Sequence, residues 1–167
     1  ADYSLHWIRT LRRFVWNTGS LEHLHAHLPA VRSMLIGLAG HIKDSGLIEL
    51  PPGRALIDWA PVCVEGAGAA LNALFADALR HGSALAAEAG DGSFESWCRE
   101  TRKALGATFH RAFWDGARGR YADGIVDGVR LEGASEHANA LAILAGIAGA
   151  NETAAIVRSV FESRPED

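Results

Sequence analysis

The chain has 167 residues, 49% of them hydrophobic, 22% charged and 8% aromatic, the make-up of one soluble globular domain rather than a disordered or collagen-like chain. Its 16 basic and 20 acidic residues leave a net charge of −4 with no block of like charge, which speaks against nucleic acid and membrane surfaces as partners. Cys63 and Cys98 lack CxxC spacing, which excludes a disulfide framework and a zinc ribbon; reduced thiols and a cytoplasmic setting are expected, with no targeting signal in view.

Apolar residues recur at helical spacing almost throughout, so the class is all-α. Residues 4–16 carry Leu5, Trp7, Ile8, Leu11, Phe14 and Val15 on more than one stripe, which predicts a helix buried on two sides and ended by Asn17-Thr18-Gly19-Ser20. Ser20 caps the next stretch, Pro29 is expected to open a fresh first turn, and Val31, Met34, Leu35, Leu38 and Ile42 mark a face that Gly46 stops. Residues 47–64 are the longest irregular stretch, because Pro51, Pro52 and Pro61 forbid a continuous helix. A third helix is predicted over 65–89, and a fourth, capped by Ser93, turns Phe94, Trp97, Cys98, Leu105, Phe109 and Phe113 inward. A short β-hairpin follows near 119–131, signalled by Asp123-Gly124 and Asp127-Gly128. Ser135 begins a fifth helix over 137–148, and Asn151-Glu152 a sixth. The first, third and fifth helices are apolar and rich in small residues, whereas the second, fourth and sixth have a charged face. An inner and an outer row of antiparallel helix hairpins needs that alternation; a short helical solenoid shows it too.

Ser4-Leu5-His6-Trp7, Asn17-Thr18-Gly19-Ser20, Leu28-Pro29-Ala30-Val31-Arg32, Asp44-Ser45-Gly46-Leu47-Ile48, Ile57-Asp58-Trp59-Ala60-Pro61 and Ala70-Leu71-Asn72-Ala73-Leu74 follow one another in that order. Phe113-Trp114-Asp115, Arg120-Tyr121-Ala122-Asp123-Gly124 and His137-Ala138-Asn139-Ala140-Leu141 continue the series. The ordered set resembles the catalytic domain of bacterial α-L-rhamnosidases, members of the six-hairpin glycosidases, with Ser20 where the family has Asp and Glu136 where it often has Gln. The resemblance implies one partial domain over 1–167, about the middle three hairpins of an (α/α)6 toroid. It implies a parent enzyme that hydrolyses terminal α-L-rhamnosides with inversion and without a cofactor. It also implies that the general acid lies upstream of the Trp7 helix and the general base downstream of the Phe161 helix. The chain alone is then expected to be inactive, as an excised piece beginning at Ala1 without Met would be.

Inverting hydrolysis needs two convergent carboxyls roughly 6.5–9.5 Å apart. The acids placed to face one rim are Asp58, Glu65 and Glu136, none at the family's catalytic positions, so each is a candidate for substrate contact. Asp58 and Trp59 lie in the Pro-bounded loop, where an indole and a carboxylate can hold a sugar's apolar face and its hydroxyls; the plainer alternative is a turn carboxylate beside a core Trp. Trp7 lines the cleft or, like Trp16, Trp97 and Trp114, belongs to the core. Glu65 contacts substrate or complements a helix dipole, and Glu136 and His137 face substrate or serve as capping groups. His23, His25 and His27 have no acidic or thiol companions and read as a solvated face rather than a metal site. Asp115, Asp123 and Asp127 lack the spacing of a calcium loop, and Cys98 reads as core. The expected partners are a rhamnose-containing saccharide and a second copy held through exposed inner helices. The rival reading is a non-catalytic helical module that binds carbohydrate or protein.

Overall fold

The structure, a computed structural model, describes residues 2–51, 57 and 62–162. Helices α1 (Asp2–Thr18) and α2 (Leu21–Ala39) make the first pair, α3 (Ala69–Glu88) and α4 (Gly92–Phe113) the second. The third pair is α5 (Glu136–Leu144) and α6 (Ala150–Ile156), which runs on as a π-helical turn over Val157–Glu162. Helix α3 packs on α1, α2, α4 and α5, so the apolar helices form an inner row with α3 in the middle. Its first eleven residues, from Ala69 to Leu79, are all buried. Small side chains suit such a position, because they let four neighbours approach one helix.

Short strands join the pairs: β1 (Ala67–Gly68), β2 (Trp114–Asp115), β3 (Arg120–Tyr121), β4 (Gly124–Val126) and β5 (Val129–Arg130). The expected hairpin is β4–β5, turned by Asp127 and Gly128, both at positive φ as a two-residue hairpin loop requires. Two pairings go beyond it. Strand β1 adds antiparallel to β4 with Gly68 opposite Gly124, and β2 pairs with β3. Both are too short for any alternation to register in the sequence.

Several local expectations are corrected. Pro29 lies inside α2 rather than opening a new turn: a proline forgoes one backbone bond, and the helix tolerates it because Leu24, Leu28, Val31 and Leu35 bury one continuous stripe across it. Helix α1 is buried on one side only, through Leu5, Ile8, Leu11 and Val15, while Phe14 is exposed and Trp16 is 73% exposed. Trp16 is therefore not core; the Arg12 guanidinium lies over its ring at 5.0 Å. Asp91, not Ser93, caps α4, accepting from the Phe94 N–H at 3.1 Å. Helix α3 starts four residues later than its apolar pattern, because residues 65–68 bend and then pair as a strand. Helix α5 ends early, where Gly146 turns the chain at φ +66°. Ser135 caps α5 as expected, and Cys98 is fully buried, where burial pushes its thiol up to about 12.

Candidate functional site

The starts of the inner helices are pinned by two asparagines that the sequence reading passed over. Asn72, four residues after the Gly68 cap, accepts from the Ile48 N–H at 2.8 Å and donates to the Ile48 carbonyl at 3.1 Å and the Gly68 carbonyl at 2.9 Å. Asn139, four residues after the Ser135 cap, repeats this on Tyr121, with bonds of 2.8 and 3.0 Å, and on the Ser135 carbonyl at 2.9 Å. Each amide satisfies both backbone groups of one buried residue in the segment that leads from an outer helix to the next inner helix. The readable signal was the triplet Asn-Ala-Leu, which recurs at 72–74 and 139–141. Asp123 ties the two starts together. Its carboxylate accepts from the Ser135 N–H at 2.6 Å and its carbonyl from the Ala69 N–H at 2.7 Å.

Between the inner helices lies a hollow of about 350 Å³, lined on α1 by Tyr3, His6 and Arg9, on α5 by His137 and Leu141, and completed by Ile57 and Leu74. It combines hydroxyl and nitrogen groups with an apolar wall, which suits a small molecule with one hydrophobic face. Arg9 is held in place from behind: its Nε donates to the buried Asp77 carboxylate at 3.0 Å, and its Nη2 is ion-paired with it at 2.8 Å. Arg80 donates to Asp77 at 2.7 Å, and His81 stands at 3.4 Å. Burial works against ionisation of Asp77, but hydrogen bonds from His81 and Arg80 and the charges of His81 and Arg9 outweigh it and hold the carboxyl at about 2. Among the described residues no acid lines this hollow.

A second hollow of about 490 Å³ lies beside the β1–β4 strands and is lined by Cys63, Glu65, Asp123 and apolar neighbours. Burial raises the Cys63 thiol above its ordinary value, opposed by a bond with the Glu65 backbone and reinforced by the charges of Asp123 and Glu65. The thiol therefore stays protonated at neutral pH and is a poor nucleophile. Gly68 and Gly124 both press on residue 63: a Cβ on Gly68 would come within 2.5 Å of the Cys63 carbonyl.

Among the described residues the sequence-derived candidates lie in different places. His137 lines the inner-helix hollow, while Glu136, its neighbour, is part-buried in the first turn of α5. Glu65 is exposed and lines the second hollow, ahead of α3 rather than in its first turn. Trp7 is part-buried against the core with its ring 5.9 Å from that of His27 on α2. Asp58 and Trp59 lie outside the described residues. His23 and His27 stack at 6.2 Å, and among the described residues no group of three or more His, Cys, Asp or Glu side chains is placed to hold a metal. Among the described residues no helix is long and apolar enough to cross a membrane.

Neither family models nor curated proteins match this chain. Solved structures do. The GH78-family rhamnosidase of Bacillus sp. GL1 superposes with a TM-score of 0.87 at 30% identity over 96% of this chain and 17% of its own. A rhamnosidase from Klebsiella oxytoca, solved with rhamnose bound, superposes with a TM-score of 0.84 at 20% identity over 98% of this chain and 31% of its own. The chain thus spans less than a third of either relative. The three helix pairs, with their inner row and their pinned starts, have the fold of an all-α portion of a helical toroid, similar to part of these rhamnosidase structures.

Proposed function

We propose that the chain is a segment of an α-L-rhamnosidase-like glycoside hydrolase and that its inner helices supply sugar-facing surface without the catalytic acid and base. The observation that carries this reading is the hollow between α1, α3 and α5, where Tyr3, His6, Arg9 and His137 meet an apolar wall and no described carboxyl. A rhamnosyl ring has one apolar face, a methyl group and several hydroxyls, which is the complement of such a lining. Hydrolysis needs a pair of carboxyls, so the parent enzyme would draw its acid and base from other segments and invert terminal α-L-rhamnosides. Asp58, Trp59, Glu65, Glu136 and Trp7 remain proposed substrate contacts.

The test is a rhamnose titration followed by NMR, alongside an aryl α-L-rhamnoside assay. The expected result is rhamnose-dependent shifts at His6 and His137, lost in His137→Ala, with no turnover above buffer. Turnover by the chain itself, or shifts that His137→Ala leaves intact, would overturn the reading. The lack of a described acid in the hollow also favours the rival, a non-catalytic carbohydrate-binding module; that reading requires saturable binding of rhamnose by the isolated chain.

Tyr3 and Leu144, which both line the hollow between α1 and α5, are each half exposed or more. Scattered apolar groups are ordinary on a surface, but two that meet across one hollow of the inner row are the start of a patch that soluble monomers rarely leave open. We therefore also propose that two copies associate through this row. Sedimentation showing only monomer at high micromolar concentration would refute it.

A further inference from the structure

Where the end of α5 meets the side of α4 there is a third hollow, about 470 Å³, with a one-sided charge. Arg102, Lys103 and His110 of α4 line it together with Gly106, Gly146 and Ile147, and among the described residues no acidic side chain does. Arg102, Gly106 and His110 share one helix face at four-residue spacing. A Cβ on Gly106 would meet nothing nearer than Ile147 at 3.8 Å, so the middle of that face is open backbone.

Arg102 is only partly satisfied. Its Nη2 donates to the Ala145 carbonyl at 2.6 Å, at the end of α5, while its Nε is buried with no hydrogen-bond partner. Among the described residues neither Arg102 nor Lys103 belongs to an ion pair, although Arg9, Arg12, Arg80 and Arg118 all do. Burial and then the charge of Arg80 lower the Arg102 pKa, so the guanidinium sits where a cation is disfavoured. His110 uses Nδ1 on the Tyr121 hydroxyl at 3.0 Å and stacks on Trp114, which fixes its ring beside the hollow. A charged donor left without an acceptor is costly, and an anion that supplies the acceptor recovers that cost.

We propose that this hollow is an anion site, in which Arg102 and Lys103, with His110 at the edge, hold one small oxyanion group, carried either by a free ion or by an acidic sugar. The site is separate from the hollow between α1, α3 and α5 and does not depend on the rhamnose reading.

The test is a titration of the full chain with inorganic phosphate, D-glucuronate and D-glucose, with ionic strength held constant by sodium chloride. Melting temperature and the NMR signals of Arg102 Nε–H and His110 are followed. A ligand that binds only the folded chain raises its melting temperature saturably. Phosphate or glucuronate is expected to do so and to move both signals, with glucose silent. Lys103 is exposed, so Lys103→Gln should leave the unliganded melt unchanged and weaken the anion by about threefold or more, the scale of one solvent-exposed charge contact. Arg102→Lys keeps a donor near Ala145 and should weaken it further, by about tenfold, because the forked geometry is lost. A glucuronate response stronger than phosphate assigns the site to an acidic sugar, and the reverse to a free oxyanion. No saturable response to either anion, an equal response to glucose, or binding unchanged in Lys103→Gln and Arg102→Lys would overturn the proposal.

Discussion

The inner helices α3 and α5 carry the same Asn-Ala-Leu triplet at the same distance from their starts, yet α3 runs for 20 residues with neighbours on nearly every side, whereas α5 stops after 9 and leaves Leu144 half exposed. Their starts obey one local rule, in which an amide pins the incoming strand. Their lengths and burial follow from what packs on them: α1, α2, α4 and α5 surround α3, while α5 has α3 as its principal helical neighbour. Start geometry is thus a property of a few residues, and helix extent is a property of the assembly. Gly146 completes the contrast by turning the chain soon after α5 ends.

The sharpest way to break this comparison is to remove each clamp. Asn72→Ala strands the N–H and carbonyl of Ile48 in the core and should cost about 3–4 kcal/mol in urea unfolding, since each buried unsatisfied group costs about 1–3 kcal/mol. Asn139→Ala should cost about 1 kcal/mol less, because its bond to the Ser135 carbonyl is only part-buried and water can replace it. Equal losses would show that the two starts do not differ in the way their surroundings suggest.

A middle-sized effect separates the α1–α3 seam from the α3–α5 seam. Asp77 bridges α3 to Arg9 of α1, and its carboxyl, ordinarily near 3.8, is held at about 2. A carboxyl depressed in the folded state contributes stability above its unfolded pKa and loses it as pH falls through the folded value. Asp77 should therefore contribute about 2 kcal/mol above roughly pH 4 and lose it between about pH 4 and 2. In Asp77→Asn the acid limb of the stability curve should flatten across that window. An unchanged limb would mean that His81, Arg80 and Arg9 together do not hold this carboxyl down.

The smallest expected effect concerns the caps. Ser135 caps α5 through its hydroxyl, whereas α3 begins at Gly68 without a side-chain cap. Ser135→Ala should lower stability by about 1 kcal/mol. Adding a hydroxyl to α3 by Gly68→Ser should not help but harm, since its Cβ would press on the Cys63 carbonyl. A stabilised Gly68→Ser variant would mean that the β1–β4 region yields more readily than its contacts indicate.

Helical class, the pairing of six helices and the Asp127-Gly128 hairpin were legible because each rests on local chemistry: apolar spacing, serine caps at 20 and 135, and a dipeptide that accepts positive φ at both positions. Resemblance of the ordered segments to rhamnosidases was legible for the same reason, since landmarks such as Asn17-Thr18-Gly19-Ser20 and His137-Ala138-Asn139-Ala140-Leu141 sit at a turn or a helix start. The hollow was not. Arg9 and Asp77 are 68 positions apart and His6 faces His137 only because α1 and α5 flank α3. Trp7 and Trp16 stand nine positions apart on opposite flanks of α1, and one is part-buried while the other is 73% exposed, because which flank is covered depends on which neighbour arrives. What the amino-acid sequence determined by itself is the helical class, the caps at Ser20 and Ser135 and the turn at Asp127-Gly128. Which helix faces are covered, which cations surround Asp77 and which donors at α4 are left without an acceptor were decided only when distant helices packed together, because packing and electrostatics act through space and local propensity acts along the chain.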